Sequence, residues 1–169
     1  MTVETVVLLA FFSAIMSYAA ISDMLTMTIP NRLSLILLAG FFVFAALFGL
    51  PPAAIGWHLL AGLSVLAITF GMFAMGWIGG GDAKLAAVTA VWCGFPGLLP
   101  YSMMASIFGG ALTLGMLAGR KVPLPAFARW PWLLRLHDAK TGIPYGIALA
   151  AAGLAVFPEM EILRAALAR

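Results

Sequence analysis

Six carboxylates punctuate a chain of 169 residues in which charged residues make up only 9%. Glu4, Glu159 and Glu161 lie near the two ends and read as solvated groups. Asp138 sits beside His137 and Lys140 and reads as part of a surface charge cluster. Asp23 and Asp82 remain, and each borders a long uncharged stretch. An ionisable group beside a membrane-type segment is costly to keep, which makes it a functional candidate by default. Two carboxyls held close cannot both ionise cheaply, so they share a proton. One then acts as base on a water while the other, protonated, polarises a carbonyl. That is aspartic-protease chemistry. The competing structural reading is that Asp23 stops a helix at the interface and Asp82 caps the next one.

The elements that must position these two residues follow from hydropathy. The apolar class reaches 64% and the mean hydropathy is +1.10. Uncharged stretches cover 5–22, 33–81, 85–119 and 141–158, more than a soluble core needs. A membrane helix takes about 20 apolar residues, so the two long stretches must each be hairpins. Leu50-Pro51-Pro52 breaks the first, because proline cannot continue a helix interior. The second breaks within 93–100, a run rich in Gly and Pro. The expected fold is therefore all-α and polytopic. Its six spans lie near 5–22, 33–50, 55–76, 83–96, 101–119 and 141–158, in one domain covering 1–169. Residues 120–140 form an interfacial loop, with Trp130 and Trp132 as headgroup-level anchors.

Six spans place both ends on one side. Arg32, Lys84, Arg120, Lys121, Arg129, Arg135 and Lys140 then share the opposite side, against Arg164 and Arg169. The positive-inside rule makes that basic side cytoplasmic and turns both termini away from it. The net charge of +3 is thus a topology signal, and no nucleic-acid partner is expected. By the same topology Asp23 and Asp82 reach one membrane face.

Asp82 stands in Gly79-Gly80-Gly81-Asp82-Ala83-Lys84. Three glycines are entropically wasteful in a helix. They suit a sharp bend, or an extended peptide approaching unhindered. A plain loop is the competing account, and the spacing of a phosphate loop is missing. Pro30 holds Ile29 extended and Asn31 is a plausible cap for the second helix, so the loop after Asp23 is tight. Lys84 either anchors at the interface or contacts substrate. His58, at the outer end of the third span, is expected to pack or to serve the interface. Cys93, the sole cysteine, is an apolar filler with neither a disulfide nor a Cys-x-x-Cys zinc site open to it. Tyr145 borders the cytoplasmic start of the last span and carries no assigned chemistry.

Ser22-Asp23 through Ile29-Pro30-Asn31-Arg32, then Gly79-Gly80-Gly81-Asp82-Ala83-Lys84-Leu85, then Lys140-Thr141-Gly142-Ile143-Pro144-Tyr145-Gly146-Ile147-Ala148 resemble the type IV prepilin peptidase family. More narrowly they are similar to the short peptidases of tight-adherence (Flp) pilus systems. The resemblance implies a G-x-G-D intramembrane aspartyl endopeptidase of the bacterial inner (cytoplasmic) membrane. It implies Asp23 and Asp82 as the catalytic pair; the mechanistic reading adds Gly79, Gly80, Gly81 and Lys84 toward substrate. The implied partners are prepilin and pseudopilin precursors with basic leaders, cut after a glycine, together with membrane lipid and pilus assembly machinery. No cofactor and no metal are expected. Residues 23–32 leave no room for the inserted methyltransferase and zinc domain of larger relatives. Two alternatives remain open: a small ion- or proton-coupled transporter, and a non-catalytic assembly factor.

Overall fold

The computed structural model describes residues 2–125 and 130–168. Seven α-helices and one 3-10 turn account for most of the described residues, which include no strand. They are α1 (Val3–Thr26), α2 (Asn31–Leu47), α3 (Pro52–Ala74), α4 (Gly80–Gly119), α5 (Pro131–His137), α6 (Tyr145–Val156) and α7 (Glu161–Leu167). The turn Phe157–Glu159 links the last two.

Length and composition give three helices able to cross a membrane: α1, α3 and α4. A fourth span results if α6, the turn and α7, bent by 42°, cross as one. The sequence pattern's six spans are reached only by also counting α2 and both arms of α4. The apolar α2 has 17 residues. The 40 residues of α4 would extend about 60 Å if straight, twice a bilayer core. They are not straight, because Gly94 takes φ 60° and ψ 176° and breaks the run into two arms. The break falls within the expected 93–100 window, yet glycine makes it. Pro96 follows in the first turn of the second arm, where a missing N–H costs nothing. That arm therefore begins earlier than 101. The first arm begins at Gly80, three residues before the expected 83.

The first arm of α4 is the hub of the fold. From Ala83 to Gly94 it is buried on nearly every side, as expected of a helix apolar all round. It packs α3 on one flank, α6 on another and α2 on a third. Small residues bring the backbones together where lipid supplies no hydrophobic contrast. A Cβ on Gly62 of α3 would overlap the Val91 side chain, and one on Gly153 of α6 would meet Thr89 at 3.2 Å. Trp92 is fully buried among Phe12, Phe41, Phe44 and Phe157, and its Nε1 donates to the Leu37 carbonyl at 3.0 Å.

The far end of the bundle adds two contacts. Glu161 is half exposed, as a solvated group should be, yet its Oε2 lies 3.2 Å from Nε2 of His58, whose Nδ1 donates to the Val91 carbonyl at 2.6 Å. His58 itself is buried against Phe41. The segment holding Glu161 is also a packed helix, α7, with Ile162, Leu163 and Ala166 buried and the Ala166 carbonyl accepting from Thr5.

The 120–140 connection is held by two arginines. Arg120 donates to the carbonyls of Leu136, Thr141 and Gly142, and Arg135 donates to the Leu25 carbonyl at the end of α1. Trp130 and Trp132 stack with centroids 6.2 Å apart. Arg129 and Arg169, both used in the charge count, lie outside the described residues.

Candidate functional site

Asp23 sits three residues before the last residue of α1. The helix is closed there by Met27 in the left-handed conformation (φ 56°), whose N–H returns to the Asp23 carbonyl at 2.8 Å. Only Thr28, Ile29 and Pro30 then separate Met27 from α2, as the sequence suggests. Asn31 is not the cap it was expected to be. Pro30 occupies the cap position without a side-chain bond, and Asn31 opens α2. Its Oδ1 instead accepts from Lys84 Nζ at 2.6 Å.

Asp82 is the third residue of α4, behind the capping residue Gly79. Its carboxylate accepts from the Gly79 N–H, the reach-back of a capping box. A negative charge is favourable so close to a helix N-terminus. The structural account of Asp82 is therefore partly right, although the residue lies inside the helix and not at its cap. Gly80 and Gly81 are helical too, so the glycine run is a helix start more than a loop. A Cβ at Gly80 would press on Phe73, and one at Gly81 would press on Ile29, each at 3.2 Å. The missing side chains let α4 begin tight against the end of α3 and the loop after α1.

This close approach puts the two aspartates on one recess of about 290 Å³, lined by Asp23, Met27, Thr28, Ile29, Gly79, Gly80, Gly81 and Asp82. Asp23 is 5% exposed, and its Oδ2 accepts from the Gly146 N–H at 2.7 Å. Gly146 is the second residue of α6, where backbone N–H groups have no partner inside the helix. Such a helix start holds an anion well.

The structure thus gathers Asp23, Asp82 and all three glycines. Lys84 lies elsewhere, lining a different recess with Asn31. Tyr145 does not line the acid recess. Its ring packs toward Gly109 and its hydroxyl meets Thr113 at 2.9 Å, both on the second arm of α4. Gly146, next to it, is the contact that sequence reasoning missed. The available signal was a glycine two positions after Pro144, at a helix start whose N–H groups need an acceptor.

Among the described residues no cluster of three His, Cys, Asp or Glu side chains is arranged to hold a metal ion. The recess offers two carboxyls and backbone groups, which suffice to hold and polarise a water.

Residues 10–114 match the type IV leader peptidase family. That span contains both aspartates and the glycine run but ends before Gly146. A protein described as a prepilin leader peptidase/N-methyltransferase, from Xanthomonas campestris pv. campestris, is 36% identical over 81 residues. The shared segment covers 47% of this chain and 23% of that protein, so the chain spans under a quarter of the relative's length. No solved structure matches the chain. With more than half of its length matched by one family, and with both acidic positions inside that match, the chain belongs to the type IV leader peptidase family.

Proposed function

We propose that this protein is an intramembrane aspartyl endopeptidase that removes the basic leader from Flp-type prepilins and pseudopilins. One observation carries the reading. Two aspartates from different helices, far apart in sequence, line a single recess beside a glycine-only stretch of backbone. Asp23 and Asp82 share a proton and hold a water between them. The ionised carboxyl takes a proton from that water as it attacks the scissile carbonyl. The protonated carboxyl donates to the carbonyl oxygen, and the gem-diol is stabilised by hydrogen bonds from both. Collapse returns a proton to the leaving amine, so no acyl-enzyme forms and no cofactor takes part.

The unwound segment around the cleaved glycine lies along Gly79–Gly81. The recess faces the cytoplasm of a bacterial inner membrane, where six spans would turn both ends of the chain outward. Lys84 contributes charge to substrate binding from the neighbouring turn of α4. The chain cleaves without methylating: Met27 and the three residues after it are all that separate the end of α1 from α2, so no domain is inserted there.

The test is cleavage of a Flp-type prepilin co-expressed in membranes, comparing wild type with Asp23→Asn and Asp82→Asn at matched levels. Wild type is expected to shorten the precursor, and each variant to lose activity by at least about a hundredfold. Variants that cleave like wild type would defeat the paired-carboxylate mechanism. An inactive but folded wild type, given a cognate substrate, would move the transporter and assembly-factor readings ahead.

A further inference from the structure

Consecutive though they are, α2 and α3 touch at Phe41 and His58 but do not run closely packed along each other. Each lies on α4, and between them runs a recess of about 380 Å³ whose lining is almost wholly apolar. Leu38 of α2, Leu66 of α3 and Val88 of α4 form its walls, and Asn31 and Lys84 close one end. The positions on α2 and α4 recur at helical spacing, so the recess extends along the helix axes from that polar end toward the interior.

One polar atom inside it is out of place. Elsewhere in the helices, Ser64, Thr69, Thr89, Ser106 and Thr113 turn their hydroxyls back onto the carbonyl four residues earlier, at 2.7–2.8 Å. Ser34 does not. It lies in the first turn of α2, and the carbonyl four residues earlier belongs to the cap, Pro30, which accepts from the Leu33 N–H. The Ser34 side chain lines the recess, is 7% exposed as a residue, and its Oγ has no partner among the described residues. A buried hydroxyl left unpaired is costly. An acyl chain has no polar atom to offer it. A helix with a small residue at the contact brings its backbone close enough to accept.

The two recesses have no lining residue in common but follow one another along the chain: Ile29 and Asp82 line the acid recess, while Asn31 and Lys84, each two positions on, line this one. The Lys84–Asn31 hydrogen bond ties α2 to α4 just beyond the acid recess.

Building on the peptidase reading above, we propose that the α2–α3 groove is the docking site for the apolar helix of the membrane-embedded precursor. One face of that helix fills the space between Leu38 and Leu66, and a backbone or hydroxyl acceptor on it pairs with Ser34. The residues preceding the helix then cross the rim formed by Asn31 and Lys84, which delivers the scissile bond to Asp23 and Asp82.

The experiment places the photoreactive residue p-benzoylphenylalanine at Leu38 in the full-length chain carrying Asp82→Asn. The protein is reconstituted in phosphatidylethanolamine and phosphatidylglycerol vesicles with a Flp-type precursor that keeps its leader and apolar helix. Leu66, on the facing helix, is a second probe position and guards against a local folding defect. Leu114, exposed on the second arm of α4, is the reference. Cleavage of the same precursor by the wild-type chain is followed in parallel.

At least tenfold more precursor adduct from 38 or 66 than from 114 is the expected result. If that adduct forms while wild type leaves the precursor whole, the groove stands and the peptidase reading falls. If wild type cuts but the probes at 38 and 66 capture only lipid, or no more precursor than 114 does, the groove is overturned and the peptidase reading stands. Failure of both arms overturns both.

Discussion

The backbone N–H of Gly146 donates to Oδ2 of Asp23 at 2.7 Å, across 123 positions of sequence. This bond fixes the carboxylate of α1 against the start of α6, and there is no space for a larger residue. A Cβ at 146 would stand 2.7 Å from both Asp23 Oδ2 and Ile29 Cδ1.

Gly146→Ala is therefore expected to act against the usual trend. In open helix positions the change gains up to about 1 kcal/mol, as expected for Gly71, where nothing lies within 4 Å. At 146 the carboxylate or Ile29 must move, which costs about 1–3 kcal/mol. Melting curves in detergent should fall for Gly146→Ala and hold or rise for Gly71→Ala. Precursor cleavage should drop at least about tenfold for the first alone.

The His58–Glu161 contact separates a buried bond from an exposed one. A carbonyl only accepts, so Nδ1 of His58 carries the proton shared with Val91, and Nε2 faces Glu161. Removing the buried ring leaves that carbonyl unpaired beside a cavity. His58→Ala is expected to cost about 2–4 kcal/mol. The Glu161 side chain is 54% exposed, so Glu161→Ala should cost less than about 1 kcal/mol. Glu161→Gln, which keeps the side-chain shape and a polar partner for Nε2, should sit nearest wild type. Equal losses for His58→Ala and Glu161→Ala in thermal unfolding would contradict this division.

Gly94 carries the break in α4. Its φ of 60° with ψ 176° is a conformation kept almost entirely for glycine, and a Cβ there would stand 2.9 Å from the His58 ring. Gly94→Ala should destabilise by about 1–3 kcal/mol. Pro96→Ala should change stability by well under that, because its ring sits where a helix start tolerates it. Parallel unfolding of the two variants distinguishes a glycine-made break from a proline-made one.

Arg120 holds three carbonyls of the segment that leads into α6. Arg120→Ala should loosen this segment without unfolding the bundle. Limited proteolysis within 121–142 is expected to quicken several-fold while the melting temperature moves by only a few degrees. Arg120→Lys, which cannot reproduce the planar fork, should fall between.

Much of the site was legible in one dimension. Asp23 and Asp82 stand out because a charge beside an apolar stretch is costly, and the expected six-span topology put them on one face. The glycine run was legible as an anomaly but not in its reason. It suggested a sharp bend or a path for an extended peptide, whereas Gly80 and Gly81 are helical and allow Phe73 and Ile29 to close in. Lys84 and Asn31 were read separately, the first as an interface anchor or substrate contact and the second as a cap. They are hydrogen-bonded to each other, because the approach of α2 to α4 places them together.

What the sequence determined by itself is local: which stretches are helical and apolar, where proline or glycine interrupts them, and which few positions carry charge. Those follow from hydropathy and backbone stereochemistry, which act over a turn or two. Only the tertiary structure decided that Gly146 holds Asp23, that His58 reaches Glu161, and that a groove runs between α2 and α3. In a membrane-type helix the core-facing and lipid-facing sides are both apolar, so no periodic pattern in the sequence records how each helix is rotated. The rotations are set by where glycine and alanine let backbones touch, and that is a property of helix pairs.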